Sequence, residues 1–267
     1  NDNLEDLISR SYPYVRTREK ISECIEELKD YAEDSIPVLL EDHSIAGIIT
    51  AQDIIEVVDD EMGDDYAKLA GLTAEEDLKE TTKESMKKRL PWLIALLFLG
   101  MAVSSVVGMF ESVAAALPIV ICFQSLVLDM AGNVGTQSLA VTIRVLMDED
   151  LTARKKLSLL AKEMKIGFLN GTSLGVMALV FLGVYVHVFK GYAWLSAFLI
   201  SGCVGVSLVA AMVISSLVGT VIPMFFHRIH IDPAVASGPL ITTVNDLVAV
   251  VTYYGLAAVF LINIFNI

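Results

Sequence analysis

Asp246, with Asn245 beside it, sits near the middle of PLITTVNDLVAVVTYY (239–254), an apolar stretch long enough to cross a bilayer. An ionisable group at membrane depth costs at least ~2.5 kcal/mol to insert, so a carboxylate there points to an ion pathway. On a helix, Thr242, Asp246 and Tyr253 fall at i−4, i and i+7 with Ala249 between them, which makes one face polar and narrow at its centre. The competing reading is an Asp hydrogen-bonded inside a helix bundle for structure. A second stretch, DMAGNVGTQSLAVTIR (129–144), places Asp129, Asn133 and Gln137 at i, i+4 and i+8, with Gly132 and Gly135 on either side of Asn133. This is a polar stripe on a helix or, if the glycines open it, a local break. In hydrocarbon such groups need partners, and irregular backbone is tolerated only against protein or a water-filled cavity. The two polar faces suit each other.

The donors available are a carboxylate, amides, hydroxyls and backbone carbonyls. No thiolate or imidazole lies at depth, since His187 falls near the end of a span. Hard oxygen donors favour Mg²⁺, Ca²⁺ or Mn²⁺ over zinc or copper. Mg²⁺ sheds water reluctantly, so one carboxylate with carbonyl and amide acceptors around its water shell is sufficient, whereas a dedicated Ca²⁺ site calls for more carboxylates.

Composition agrees with a membrane setting. Of the 267 residues, 55% are hydrophobic and the mean hydropathy is +0.63, values of a polytopic α-helical membrane protein. Residues 1–90 carry 24 acidic and 11 basic residues, whereas residues 91–267 carry 8 of each. All the net acidity therefore lies ahead of a neutral membrane segment. That balance argues against nucleic acid as a partner and favours multivalent cations. Cys24, Cys122 and Cys203 lie far apart with no CxxC or His pairing and read as small apolar packers. No HExxH, GxSxG or P-loop pattern is present, so an enzyme is disfavoured. The chain opens on Asn1 and Asp2 without an initiator Met, which reads as a piece trimmed at its N-terminus.

The positioning elements follow in order. Residues 11–60 show a helix candidate over 18–31, a strand IPVLL, an acidic turn EDHS, a strand IAGIIT and a helix from about Ala51. The run SIPVLLEDHSIAGIITAQDIIEVV resembles a CBS motif. That resemblance implies a cytosolic α/β module and a weak adenine-nucleotide site at Thr50 and Asp53; the residues alone allow Asp53 to be an ordinary first-turn helix acid. Glu56, Asp59, Asp60, Glu61, Asp64 and Asp65 crowd within ten residues, and Glu56, Asp60 and Asp64 line one helical face. Either the face is simply solvated, or divalent ions relieve its repulsion.

Thr73 to Arg89 has the pattern of a charged amphipathic helix with a Thr73/Glu76 capping box, and Pro91 marks the junction to the membrane part. Five spans are expected at about 92–113, 117–146, 165–189, 194–226 and 239–265, each able to cross ~30 Å of hydrocarbon. Spacings such as Gly167, Gly171 and Gly175, or Gly202 and Ser207, indicate close helix packing. Lys83 to Arg89, the Arg144 to Lys165 loop and His227 to His230 hold the basic residues, so the soluble segment is expected in the cytoplasm and the C-terminus outside. The expected divisions are a partial CBS domain over 1–66, a connecting helix over 67–90 and a five-span domain over 91–267.

AGNVGTQSLAVTIR and DPAVASGPLITTVNDLVAVVTYY, together with this layout, resemble the signature segments of the MgtE magnesium channel and transporter family. The resemblance implies a homodimer in the cell membrane. Its second and fifth spans would line one pore for largely hydrated Mg²⁺, held at Asp246 with the backbone near Thr242, and with Asn133, Gly135 and Gln137 along the way. It also implies a gate set by Mg²⁺ among the acidic residues at 56–65. Asp129 adds an acid beyond the family pattern. The runner-up reading is a proton- or Na⁺-coupled transporter in which Asp246 and Asp129 carry the coupling ion.

Overall fold

The computed structural model describes residues 13–19, 35–73, 79–148, 152–235 and 238–265, in two compact units, one ending at Tyr66 and the other running from Ala67 to Ile267. In the first unit, β1 (Val15–Arg16), β2 (Ser35–Leu39) and β3 (Ile45–Thr50) form a sheet in that order, with β1 parallel and β3 antiparallel to β2. Val15 and Ile36 are buried in it, with Val38, Ile49 and Ile54 packed around them. The EDHS turn closes as its residues allow. His43 takes a left-handed φ of 64°, and the Asp42 carboxylate accepts from the Ser44 N–H at 3.0 Å and its hydroxyl at 2.5 Å. Helix α1 (Ala51–Leu69) follows at once. Of the helix expected over 18–31, Arg18 and Glu19 lie in a turn, and residues 20–31 lie outside the described residues.

Among the described residues, the second unit has five helices long and apolar enough to cross a membrane: α2 (Thr82–Gly108), α4 (Ile119–Asp148), α5 (Ala153–Lys190), α6 (Trp194–Arg228) and α7 (Gly238–Leu256), the last extended by π-helical turns over Ala257–Ile264. The short α3 (Glu111–Ala116) lies between α2 and α4. The chain is thus a polytopic helical membrane protein with a small α/β part ahead of it.

Helix α2 starts at Thr82 rather than Thr73 and runs through Pro91 without a break. The sequence offers two Thr-x-x-Glu boxes. The Thr81/Glu84 box forms, the Glu84 carboxylate accepting from the Thr81 N–H at 2.8 Å and its hydroxyl at 2.7 Å, whereas Glu76 of the Thr73/Glu76 box lies outside the described residues. Thr73 instead donates its N–H and its hydroxyl to the Lys88 carbonyl. Thr82–Gly108 has no buried residue.

Helices α5 and α6 pack closest. A Cβ on Gly175 would lie 2.9 Å from the Gly205 carbonyl oxygen, and one on Gly205 would lie 2.8 Å from that of Gly175. Gly171 meets the Val209 backbone, and Gly167 meets Ser216 and the Met212 carbonyl. The glycines act as small-residue packing; Gly205 meets Gly175, and Gly202 lies against Leu179 of α5. The main core joins α4, α6 and α7 through Val120, Val127, Val204, Leu208, Val250 and Tyr253.

Candidate functional site

Helix α4 is continuous from Ile119 to Asp148, so the glycines at 132 and 135 open no break and the stripe is helical. Asp129, Asn133 and Gln137 are all exposed along it. The Asn133 Nδ2 donates to the Asp129 carbonyl at 2.9 Å and to its Oδ1 at 3.2 Å, which ties the stripe together one turn apart. Gln137 makes no side-chain hydrogen bond among the described residues.

Helix α7 lies alongside the buried edge of α4. A Cβ on Gly132 would meet the Thr242 Cγ2 at 3.1 Å, and one on Gly135 would collide with the Asn245 amide. Thr242 and Asp246 are half-buried on the edge of α7 that adjoins the stripe. The hydroxyls of Thr136 and Thr242 donate back to Gly132 and Gly238, each at 2.9 Å, and keep lone pairs for other donors. The Asp246 carboxylate has neither an ion pair nor a hydrogen bond among the described residues.

Asn245 and Gly135 stand behind this edge. Asn245 is fully buried, and neither its Oδ1 nor its Nδ2 finds a partner among the described residues. Gly135 is buried between the Asn245 amide and α6, where a Cβ on Gly219 would strike its carbonyl. Both belong to the contact that sets how close α4, α6 and α7 come.

Tyr253 departs from the expected polar face. It is 1% exposed, and its hydroxyl donates to the Val120 carbonyl at 2.9 Å. Tyr254 donates to Gln124 Oε1 at 2.6 Å. The buried side of α7 turns along its length, from Ile241 and Asn245 to Tyr253 and Tyr254. The face that is open at Asp246 is therefore closed two turns further on.

The described acidic residues of α1 form no chelating nest. Glu56, Asp60 and Asp64 are exposed along one face, and Asp59 is exposed beside them. Among the described residues, no group of three or more His, Cys, Asp or Glu side chains converges to hold a metal ion. Asp53 is occupied locally: Thr50 donates its N–H at 2.8 Å and its hydroxyl at 2.7 Å to the Asp53 carboxylate. These bonds hold the Asp53 carboxyl below the usual carboxylate range and cap the start of α1. At the other end of α1, Lys68 pairs with Asp232 at 2.7 Å.

Ser138 and Glu163, both buried, were not among the residues that spacing singled out. The available signal is that Glu163 is the sole acid between residues 153 and 190, flanked by Lys162 and Lys165.

Comparison with known proteins gives the same two parts. The MgtE family model, a divalent cation transporter, matches residues 124–256, and a CBS domain matches residues 4–60. The chain is 35% identical over 258 residues to the magnesium transporter MgtE of Enterococcus faecalis, covering 97% of this chain and 55% of that protein. It is 35% identical over 249 residues to its namesake in Bacillus subtilis, at 92% and 52% coverage. With that of Thermus thermophilus the identity is 31% over 261 residues, at 97% and 56%. The chain spans about half the length of these curated relatives. The matched segment 124–256 contains both the α4 stripe and the Asp246 edge of α7, and with it the chain belongs to the MgtE family of divalent cation transporters.

Proposed function

We propose that two copies of this chain enclose a Mg²⁺-selective pathway between their α4 and α7 helices and pass largely hydrated divalent cations to the cytosol. Asp246 and the backbone near Thr242 hold the ion through its water shell, and Asp129, Asn133 and Gln137 line the way. Asn245 and Gly135 set the spacing of the two helices. Mg²⁺ on the acidic face of α1 closes the gate, with the N-terminus in the cytosol and the C-terminus on the far side.

The carrying observation is that a membrane-spanning helix exposes Asp129, Asn133 and Gln137 beside an unpartnered half-buried carboxylate, Asp246. Lipid cannot satisfy that stripe, because each such group left in hydrocarbon costs several kcal/mol. A second copy related by a two-fold axis covers it with its own stripe. That brings two Asp246 carboxylates to one axis, the charge a divalent ion needs. The relatives' names as magnesium transporters support the choice of ion.

The test is Mg²⁺ uptake by proteoliposomes carrying wild type or Asp246→Asn, with dimer content measured in parallel. Asn keeps the volume and hydrogen-bonding capacity and removes the charge. Flux is expected to fall more than about tenfold while the dimer persists. Undiminished flux sinks the role given to Asp246, and uptake that requires a proton or Na⁺ gradient sinks the channel reading.

A further inference from the structure

Glu163 is 4% exposed, a carboxylate on the inner face of α5 about three turns from its start. Its Oε2 accepts a hydrogen bond from the Ser138 hydroxyl at 2.9 Å, and Ser138 is itself 2% exposed. It has no ion pair among the described residues, although Lys155, Lys162 and Lys165 share its helix, because all three are exposed on the outer side. Removing a carboxylate from water without a counter-charge costs several kcal/mol. A helix that needed only packing at this position would carry an apolar residue.

The surroundings are polar and close to the stripe. Ser138 follows Gln137 directly on α4, with Gln137 exposed and Ser138 turned in. The Thr142 hydroxyl donates to the Ser138 carbonyl at 2.7 Å, one turn further on. On α6, Ser216 is fully buried and lies against Gly167, one turn along α5 from Glu163. Glu163 therefore stands on the far side of α4 from the surface that the stripe presents.

We infer that Glu163 is a positioning residue for cation passage: a fixed negative charge behind α4 that holds Ser138, orients the Gln137 end of the stripe and adds its field to the pathway. This inference rests on the reading of the stripe as a pathway. A unit charge acting on a divalent ion across a helix of ~10 Å width in a medium of effective dielectric ~20 is worth over about a hundredfold in ion occupancy, and at least about tenfold once pathway water and salt screen it.

The experiment compares Glu163→Gln, Glu163→Asp and the exchange Ser138→Asp with Glu163→Asn in the full-length protein in proteoliposomes, reading Mg²⁺ flux against Mg²⁺ concentration. Gln keeps the hydrogen bond and removes the charge, so half-saturation is expected to move at least about tenfold upward. Asp keeps the charge and should hold half-saturation near wild type. The exchange moves the charge to the other end of the same hydrogen bond and should restore it in part. Glu163→Gln with wild-type half-saturation overturns the proposal. If Glu163→Gln fails to fold, the exchange decides: a folded exchange variant with wild-type half-saturation supports the charge, and one shifted like a neutral variant overturns it. Absence of Mg²⁺ flux in the wild type is a failure of the pathway reading and is distinguishable from a Glu163 effect.

Discussion

Gly135 shows how a single residue sets the spacing of the helices that carry the candidate site. A methyl group there would run into the Asn245 amide and crowd Ile241 at 3.3 Å, two side chains that are fully buried and have nowhere to move. Gly135→Ala is therefore expected to cost ~1–3 kcal/mol through overpacking, seen as a lower melting temperature of the detergent-solubilised protein. Because Asn245 makes no hydrogen bond, adding Asn245→Ala removes the obstacle without breaking a bond and should recover most of that loss. A Gly135→Ala protein that melts with the wild type would show that α4 and α7 are not held at this spacing. Asp246, Asp129 and Asn133 were legible as polar groups at depth because hydrophobic surroundings make any polar residue conspicuous. The burial of Asn245 and Tyr253 was not, because the drift of the buried side around α7 depends on how that helix crosses α4 and leaves no period in the sequence.

At the scale of elements, hydropathy over a bilayer's length identified all five long helices, and the small-residue spacing of α5 marked its packing face. Helix ends were harder to place. Thr73 and Thr81 offer the same capping box, and a proline ten residues into a helix removes only one donor when the helix is held elsewhere. The α5 and α6 contact gives a sharp contrast. Gly175→Val places side-chain atoms where the Gly205 backbone lies, 2.9 Å from the first added carbon, and neither backbone can yield without separating the helices. Gly100, on α2, faces open space. Gly175→Val is expected to lower stability by ~3 kcal/mol or more, while Gly100→Ala leaves it within ~1 kcal/mol of wild type. Thermal unfolding of both variants in one detergent measures the difference. Equal melting temperatures would mean that the two helices tolerate a wider gap than the structure shows.

For the molecule as a whole, one helix carries both the acidic face of Glu56, Asp60 and Asp64 and the Lys68 ammonium that pairs with Asp232 in the segment between α6 and α7. Exposed acids that do not converge among the described residues bind Mg²⁺ weakly and by charge density, so the threshold of the proposed gate is expected near millimolar Mg²⁺ rather than micromolar. Coupling of this kind shifts an equilibrium only by the difference in Mg²⁺ affinity between its two states, typically ~1–3 kcal/mol, which is about 5- to 150-fold in the closed fraction. On the proposed gate, replacing Glu56, Asp60 and Asp64 together by Gln removes the charge that Mg²⁺ neutralises, so flux should no longer respond to cytosolic Mg²⁺. If the gate opens only through Mg²⁺ release, the neutral variant conducts at millimolar Mg²⁺ where the wild type is shut. Uptake measured against Mg²⁺ concentration on the cytosolic side separates the cases. Continued shutdown of the triple variant at the wild-type concentration would remove this face of α1 from the gate and leave Asp59, Glu61 and Asp65 as the remaining acids to test.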